Sequence, residues 1–197
     1  DPFSHGIGRY APWKAEATSD RVKATLNGKD LWNGVPLALL EGQNFNMTLE
    51  AKLMADGLSL SLSVVSDTAS VVGIHYYFAL PQKNGTVTSN VQDRMIIDGE
   101  LKPIPSEWLA DANQHLVFDL KNDADYTFHP HPNPLKGAIL LDAGSYRLAT
   151  SYESISGENC WQLYHPKDAS FVCIEPISAK DPRHPNLTAS SINIHLE

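Results

Sequence analysis

The chain has 197 residues, 15 basic and 23 acidic, for a net charge of −8. An acidic surface repels phosphate backbones and anionic lipid, which argues against nucleic-acid and membrane partners. A hydrophobic share of 42% with 19% charged residues excludes disorder for the bulk of the chain, and no apolar run reaches the ~18 residues of a membrane span. One domain, 1–197, is expected. The chain opens at Asp1 rather than Met, so its N-terminus is expected to be processed, trimmed or left out.

In chain order, the first segment of interest is Ser4-His5-Gly6-Ile7-Gly8-Arg9-Tyr10-Ala11-Pro12-Trp13. Its glycines let backbone approach a ligand closely, and a His, an Arg and an aromatic together suit a polyhydroxylated molecule. A plain glycine loop with a surface Arg is the equal alternative. Residues 21–26 predict a strand. Apolar residues alternate with polar ones over 45–53 and again over 58–64, with Asp56-Gly57 between: a hairpin with one wet face.

Residues 71–80 predict a strand with Val72, Ile74, Tyr76 and Phe78 on one face and His75 and Tyr77 on the other. A lone strand His is more often structural than catalytic, yet here it neighbours the small residues Gly73 and Ala79. Residues 105–112 could hold a turn or two of helix. Strands are further expected at 116–120, 137–141, 146–151, 160–164, 170–175 and 192–196. Asp123 and Asp125 read as solvated turn residues and Asp142 as part of a hairpin turn. The run His129-Pro130-His131-Pro132-Asn133-Pro134 reads as a surface loop, since its prolines cannot sit in a central strand.

The 170–175 strand ends on Glu175. Pro176 should hold that residue extended and stop the ladder, leaving the carboxylate at the sheet's end. Apolar surroundings would raise its pKa toward that of a general base; a rim Glu paired with an Arg is the plainer alternative. Many short strands with Gly and Pro turns make the fold class all-β, an antiparallel sandwich or barrel.

Cys160 and Cys173 could form one bridge, but two reduced, part-buried thiols in an intracellular, cytoplasmic protein are the stronger reading. The sequons at Asn46, Asn84 and Asn186 do not establish secretion. His129 and His131 have ligand-like spacing without a Cys or carboxylate partner, so no metal is expected; no nucleotide motif is present and no cofactor is expected.

Taken in order, His5-Gly6-x-x-Arg9-x-x-x-Trp13, Gly73-x-His75-x-Tyr77-Phe78 and Val172-Cys173-Ile174-Glu175-Pro176 resemble the aldose 1-epimerase, or galactose mutarotase-like, family. Asp125-Tyr126-Thr127-Phe128 is similar to that family's Asp-bearing loop, without the usual His after the Asp. The resemblance implies a large antiparallel β-sandwich (a supersandwich) and interconversion of the α and β anomers of a free aldose or a hexose phosphate. It implies Glu175 as general base and His75 as general acid, with His5, Arg9, Asp125 and Tyr77 binding or orienting the sugar. The acid and base should face each other about a sugar ring apart. Family members carry several strands before the first motif, and this chain starts almost at it. Either it is a fragment, or it is a divergent short form lacking those N-terminal strands. The alternatives are a carbohydrate-binding sandwich without catalysis, a sugar-phosphate mutarotase, and a glycoside hydrolase using Glu175 with Asp125.

Overall fold

The computed structural model describes residues 3–110 and 114–197. The expected hairpin forms as read, and the strands around it are antiparallel throughout. In chain order they are β1 (Lys14–Ala17), β2 (Arg21–Asn27), β3 (Leu31–Trp32), β4 (Val35–Pro36), β5 (Phe45–Leu53), β6 (Leu58–Ser66), β7 (Phe78–Ala79) and β8 (Thr86–Ile97). There follow β9 (Glu100–Pro103), β10 (His115–Asp119), β11 (Ala124–Pro130), β12 (Lys136–Asp142), β13 (Arg147–Glu153), β14 (Cys160–His165), β15 (Phe171–Ile177) and β16 (Ala189–Leu196). One short helix, α1 (Leu37–Glu41), and two 3-10 turns, Ile7–Arg9 and Ser106–Trp108, complete the described elements. The second turn falls within the helix expected over 105–112, whose residues 111 and 112 lie outside the described residues.

β8 organises the architecture. Its first half lies between β10 and β12, and its second half between β9 and β11. The path β1-β2-β5-β6-β16-β13-β12-β8 thus continues through β8 into β11-β14-β15-β7. A strand that changes neighbours midway turns one sheet into two layers. Their apolar faces share one core, with Leu62, Val64, Ile192 and Ile194 from one side and Phe128, Trp161, Leu163 and Ile174 from the other. This is the all-β antiparallel sandwich expected from the sequence.

Period two explains which side of β14 and β15 does what. Trp161 and Leu163 pair with Pro176 and Ile174 and point into the core. Gln162 and Tyr164 therefore project from the opposite face, in register with Glu175 and Cys173.

Four readings need correction. Residues 71–77 form no ladder beyond one bridge, Gly73 to Ile177; only Phe78–Ala79 pairs as a strand. The inside–outside parity nonetheless holds, because Val72, Ile74, Tyr76 and Phe78 still pack on the core. Gly73 allows this docking: a Cβ there would sit 3.1 Å from the Ile177 side chain and 3.2 Å from the Pro176 carbonyl oxygen. Second, Pro176 does not stop the ladder, which runs on to Ile177. The other flank of β15 is unpaired between Val172 and Ile177, so no ladder bond on that side calls for the missing amide. Third, Asp125 lies in β11, not in a loop. Fourth, His129 and Pro130 close β11 in buried positions rather than lying on the surface. The register of β11 against β8 shifts between Phe128 and Pro130, and such a bulge is where a sheet tolerates proline. His129 is satisfied there, its Nε2 lying 2.8 Å from the Lys180 carbonyl oxygen.

No helix among the described residues is long and apolar enough to cross a membrane. Cys160 and Cys173 are free and fully buried.

Candidate active site

A cleft of about 730 Å³ opens where the N-terminal segment, residues 69–77 and β15 meet above β5 and β6. Met47, Leu49, Leu62 and Val64 give it an apolar floor. Its polar wall comes from His5, Arg9, His75, Tyr77 and Glu175, from three segments far apart in sequence.

The first motif is positioned by a tight turn. His5 and Gly6 both take positive φ, 65° and 78°, directly before the 3-10 turn Ile7–Arg9. That conformation is costly for a residue with a Cβ, and it places the His5 ring 5.1 Å from that of His75. The Trp13 indole N–H donates to the Gly8 carbonyl at 2.8 Å, and the Ile7 amide donates to the Glu41 carboxylate at 3.3 Å. Arg9 is thereby held at the rim, exposed.

His75 and Glu175 do not stand a sugar ring apart. His75 Nδ1 is 3.3 Å from Glu175 Oε1. The two are in contact but not aligned for a hydrogen bond, for His75 Nδ1 is buried and finds no hydrogen-bond partner. Tyr77 stacks on the imidazole, ring centroids 4.9 Å apart.

The electrostatics follow from burial. Desolvation raises the Glu175 carboxyl to about 7, with Arg9 pulling it down and Asp125 pushing it up. Desolvation also holds His75 below its ordinary value, and the nearby charges of His5 and Arg9 add to this. Both groups are thus shifted toward their neutral forms, and Glu175 exchanges its proton near neutral pH.

Asp125 does not line the cleft. It projects from the same outer face of the sheet, where the Gln162 side-chain amide donates to its Oδ1 at 2.6 Å. Thr127 donates to the oxygen of that same amide. Gln162 lies directly opposite Glu175 in register, so one side chain links Asp125 to the row that carries the carboxylate. Sequence reasoning passed over Gln162. The available signal was a polar residue at the outward position between Trp161 and Leu163. It also passed over Cys173 as a neighbour of the pair, though Cys173 and Glu175 lie two apart on one face of β15.

No protein-family model and no curated protein matches the sequence. Solved structures do match. A galactose mutarotase-like protein from Lactobacillus casei ATCC 334 superposes with a TM-score of 0.68 at 16% identity, over 99% of this chain and 76% of its own. A galactose mutarotase-like protein from Clostridium acetobutylicum gives 0.64 at 17%, over 98% and 68%. The GalM/aldose epimerase homologue from C. elegans gives 0.65 at 11%, over 95% and 69%. This is the galactose mutarotase-like fold. Within it, β15 and the segment before β7 present Glu175 and His75 to one cleft. At these identities the likeness is one of architecture.

Proposed function

We propose that this chain is an aldose 1-epimerase that interconverts the α and β anomers of an aldose or hexose phosphate. The contact of His75 with Glu175 on the wall of an open cleft is the observation that carries the reading. A pyranose changes anomer by losing the proton of its C1 hydroxyl while the ring oxygen gains one. The C1–O5 bond breaks, the aldehyde turns, and the steps reverse on the other face. Both reacting oxygens are bonded to C1, so acid and base must converge on neighbouring atoms rather than bracket the whole ring. Their close approach suits this. Glu175 takes the hydroxyl proton and His75 protonates the ring oxygen. Burial brings Glu175 to about 7, near a neutral working pH, and the lowered pKa of His75 makes its protonated form the readier proton donor.

His5 and Arg9 meet sugar hydroxyls, and Tyr77 offers its ring to the apolar face of the sugar. Asp125 acts on the site through its charge and through Gln162. Arg9 at the rim also suits a phosphorylated substrate, and inhibition by inorganic phosphate would favour that form.

Polarimetry on freshly dissolved α-glucose or α-galactose tests the proposal, comparing the wild-type protein with Glu175→Gln. Faster optical decay that the variant loses supports it. Sugar binding without faster decay would instead make the chain a carbohydrate-binding sandwich.

A second measurement probes the charges. Arg9 lowers the pKa of both Glu175 and His75. Arg9→Gln should therefore move both limbs of the pH–kcat/KM profile to higher pH, whatever it does to the maximum rate. A profile that stays in place or moves to lower pH would remove Arg9 from the electrostatics of the pair.

A further inference from the structure

Cys173 has no part in the proton chemistry just described, yet it lies beneath both groups that do. One nitrogen of His75, the Cys173 Sγ and a carboxylate oxygen of Glu175 all lie within 4.8 Å of one another. An imidazole nitrogen, a thiol sulfur and a carboxylate oxygen are three donors of the kinds that bind transition metals. Zn²⁺ bound tetrahedrally at its usual bond lengths puts nitrogen and oxygen donors roughly 3.3 Å from each other, and sulfur slightly farther from either. The 3.3 Å between His75 Nδ1 and Glu175 Oε1 already meets the first condition. That Nδ1 is buried with no hydrogen-bond partner. The set is held by a rigid element on one side, since Cys173 and Glu175 are alternate residues of a strand paired with β14. A fourth position would open on the cleft, where the His5 ring stands 5.1 Å from that of His75.

We propose that His75, Cys173 and Glu175 form a binding site for a Zn²⁺-like divalent cation, which occupies the site in place of sugar. The mixture of imidazole, thiolate and carboxylate selects zinc and its soft neighbours over Mg²⁺ or Ca²⁺, which prefer all-oxygen cages. Binding forms a metal–sulfur bond, and the thiol proton leaves to water; no oxidant or reductant is involved. Arg9 works against a second cation here, whereas the thiolate and carboxylate together supply two negative charges. Because the cation ligates Glu175 and His75, it blocks anomer exchange; that consequence rests on the function proposed above, and the binding itself does not.

Cobalt(II) added to chelator-treated protein is the probe. Wild-type protein should take up one equivalent and develop the near-ultraviolet thiolate-to-cobalt charge-transfer band of a cysteine-ligated site. Cys173→Ser should abolish the band, and Cys160→Ser, which alters the other buried thiol, should keep it. Absence of the band in wild-type protein, or its survival in Cys173→Ser, overturns the site whether or not the protein is an epimerase. In polarimetry, saturating Zn²⁺ should slow mutarotation by about 10²-fold or more, a chelator should restore it, and Cys173→Ser should be far less sensitive. If the cobalt band forms while Zn²⁺ leaves mutarotation at full rate, the blocking role is overturned.

Discussion

Glu175→Gln is expected to slow anomer equilibration by about 10²–10⁴-fold and, at the same time, to make the protein more stable at pH 8. The two effects have one cause. Gln keeps the size of the side chain and loses its capacity to accept a proton, so the base is gone. It also removes a buried charge. In the folded protein the carboxyl holds its proton up to about pH 7, against an ordinary value of 4.5. Between those values the folded chain binds a proton that the unfolded chain has already released. Stability therefore falls as pH rises from 4.5 through 7, and stays lower above it. At ~1.4 kcal/mol for each pKa unit, the penalty approaches about 3 kcal/mol. Gln is neutral in both states and escapes it. Urea denaturation of the two proteins at pH 8 and pH 4 checks this: the variant should lead at pH 8 and the gap should close at pH 4. A variant no more stable at pH 8 would mean that burial does not hold the native carboxyl protonated.

Trp161→Ala should cost about 3–5 kcal/mol, the range for emptying an aromatic-sized volume in a core. Trp161 is fully buried in β14 and packs on Phe128 with ring centroids 4.8 Å apart. Its indole N–H has no hydrogen-bond partner, and a buried donor left unpaired carries its own penalty. Trp161→Phe keeps an aromatic ring and discards that donor, so its loss should be well below that of the alanine variant. Chemical denaturation of both variants measures the difference. Comparable losses for Phe and Ala would show that the full indole shape, rather than ring burial, is what the core requires. The site should feel the alanine change too, because the next residue is Gln162, opposite Glu175.

The strands most readable from sequence were those with one wet face. Leu60, Leu62 and Val64 alternate with serines, and β6 buries those three residues. The longest strand, β8, escaped notice for the same reason in reverse. Its buried positions are Val87, Ser89, Val91 and Met95; a polar Ser89 sits among them, and the alternation breaks at Asp93, which is exposed. Ser89 is buried because its hydroxyl donates to the Ala138 carbonyl, a bond that no periodicity reveals. β1 was missed because all four of its residues are exposed; it exists only because β2 offers a free edge. Of the candidate site, His5, Arg9, His75, Tyr77 and Glu175 were each visible as residues, and the fold brings them to one cleft. The contact between His75 and Glu175, and Cys173 beneath them, depend on how 71–77 lies against β15. That placement is set by the absence of a side chain at Gly73 and by packing across long sequence separation, neither of which leaves a local pattern.

β8 serves as the shared spine of both layers, with each half hydrogen-bonded to a different pair of neighbours. Neither layer owns a complete set of strands without it. The molecule accordingly lacks a seam along which one half could come apart while the other persisted. Damage far from the cleft, in the middle of that strand, would reach the cleft by dissolving the common frame, and loss of structure should travel through the whole sandwich in a single step.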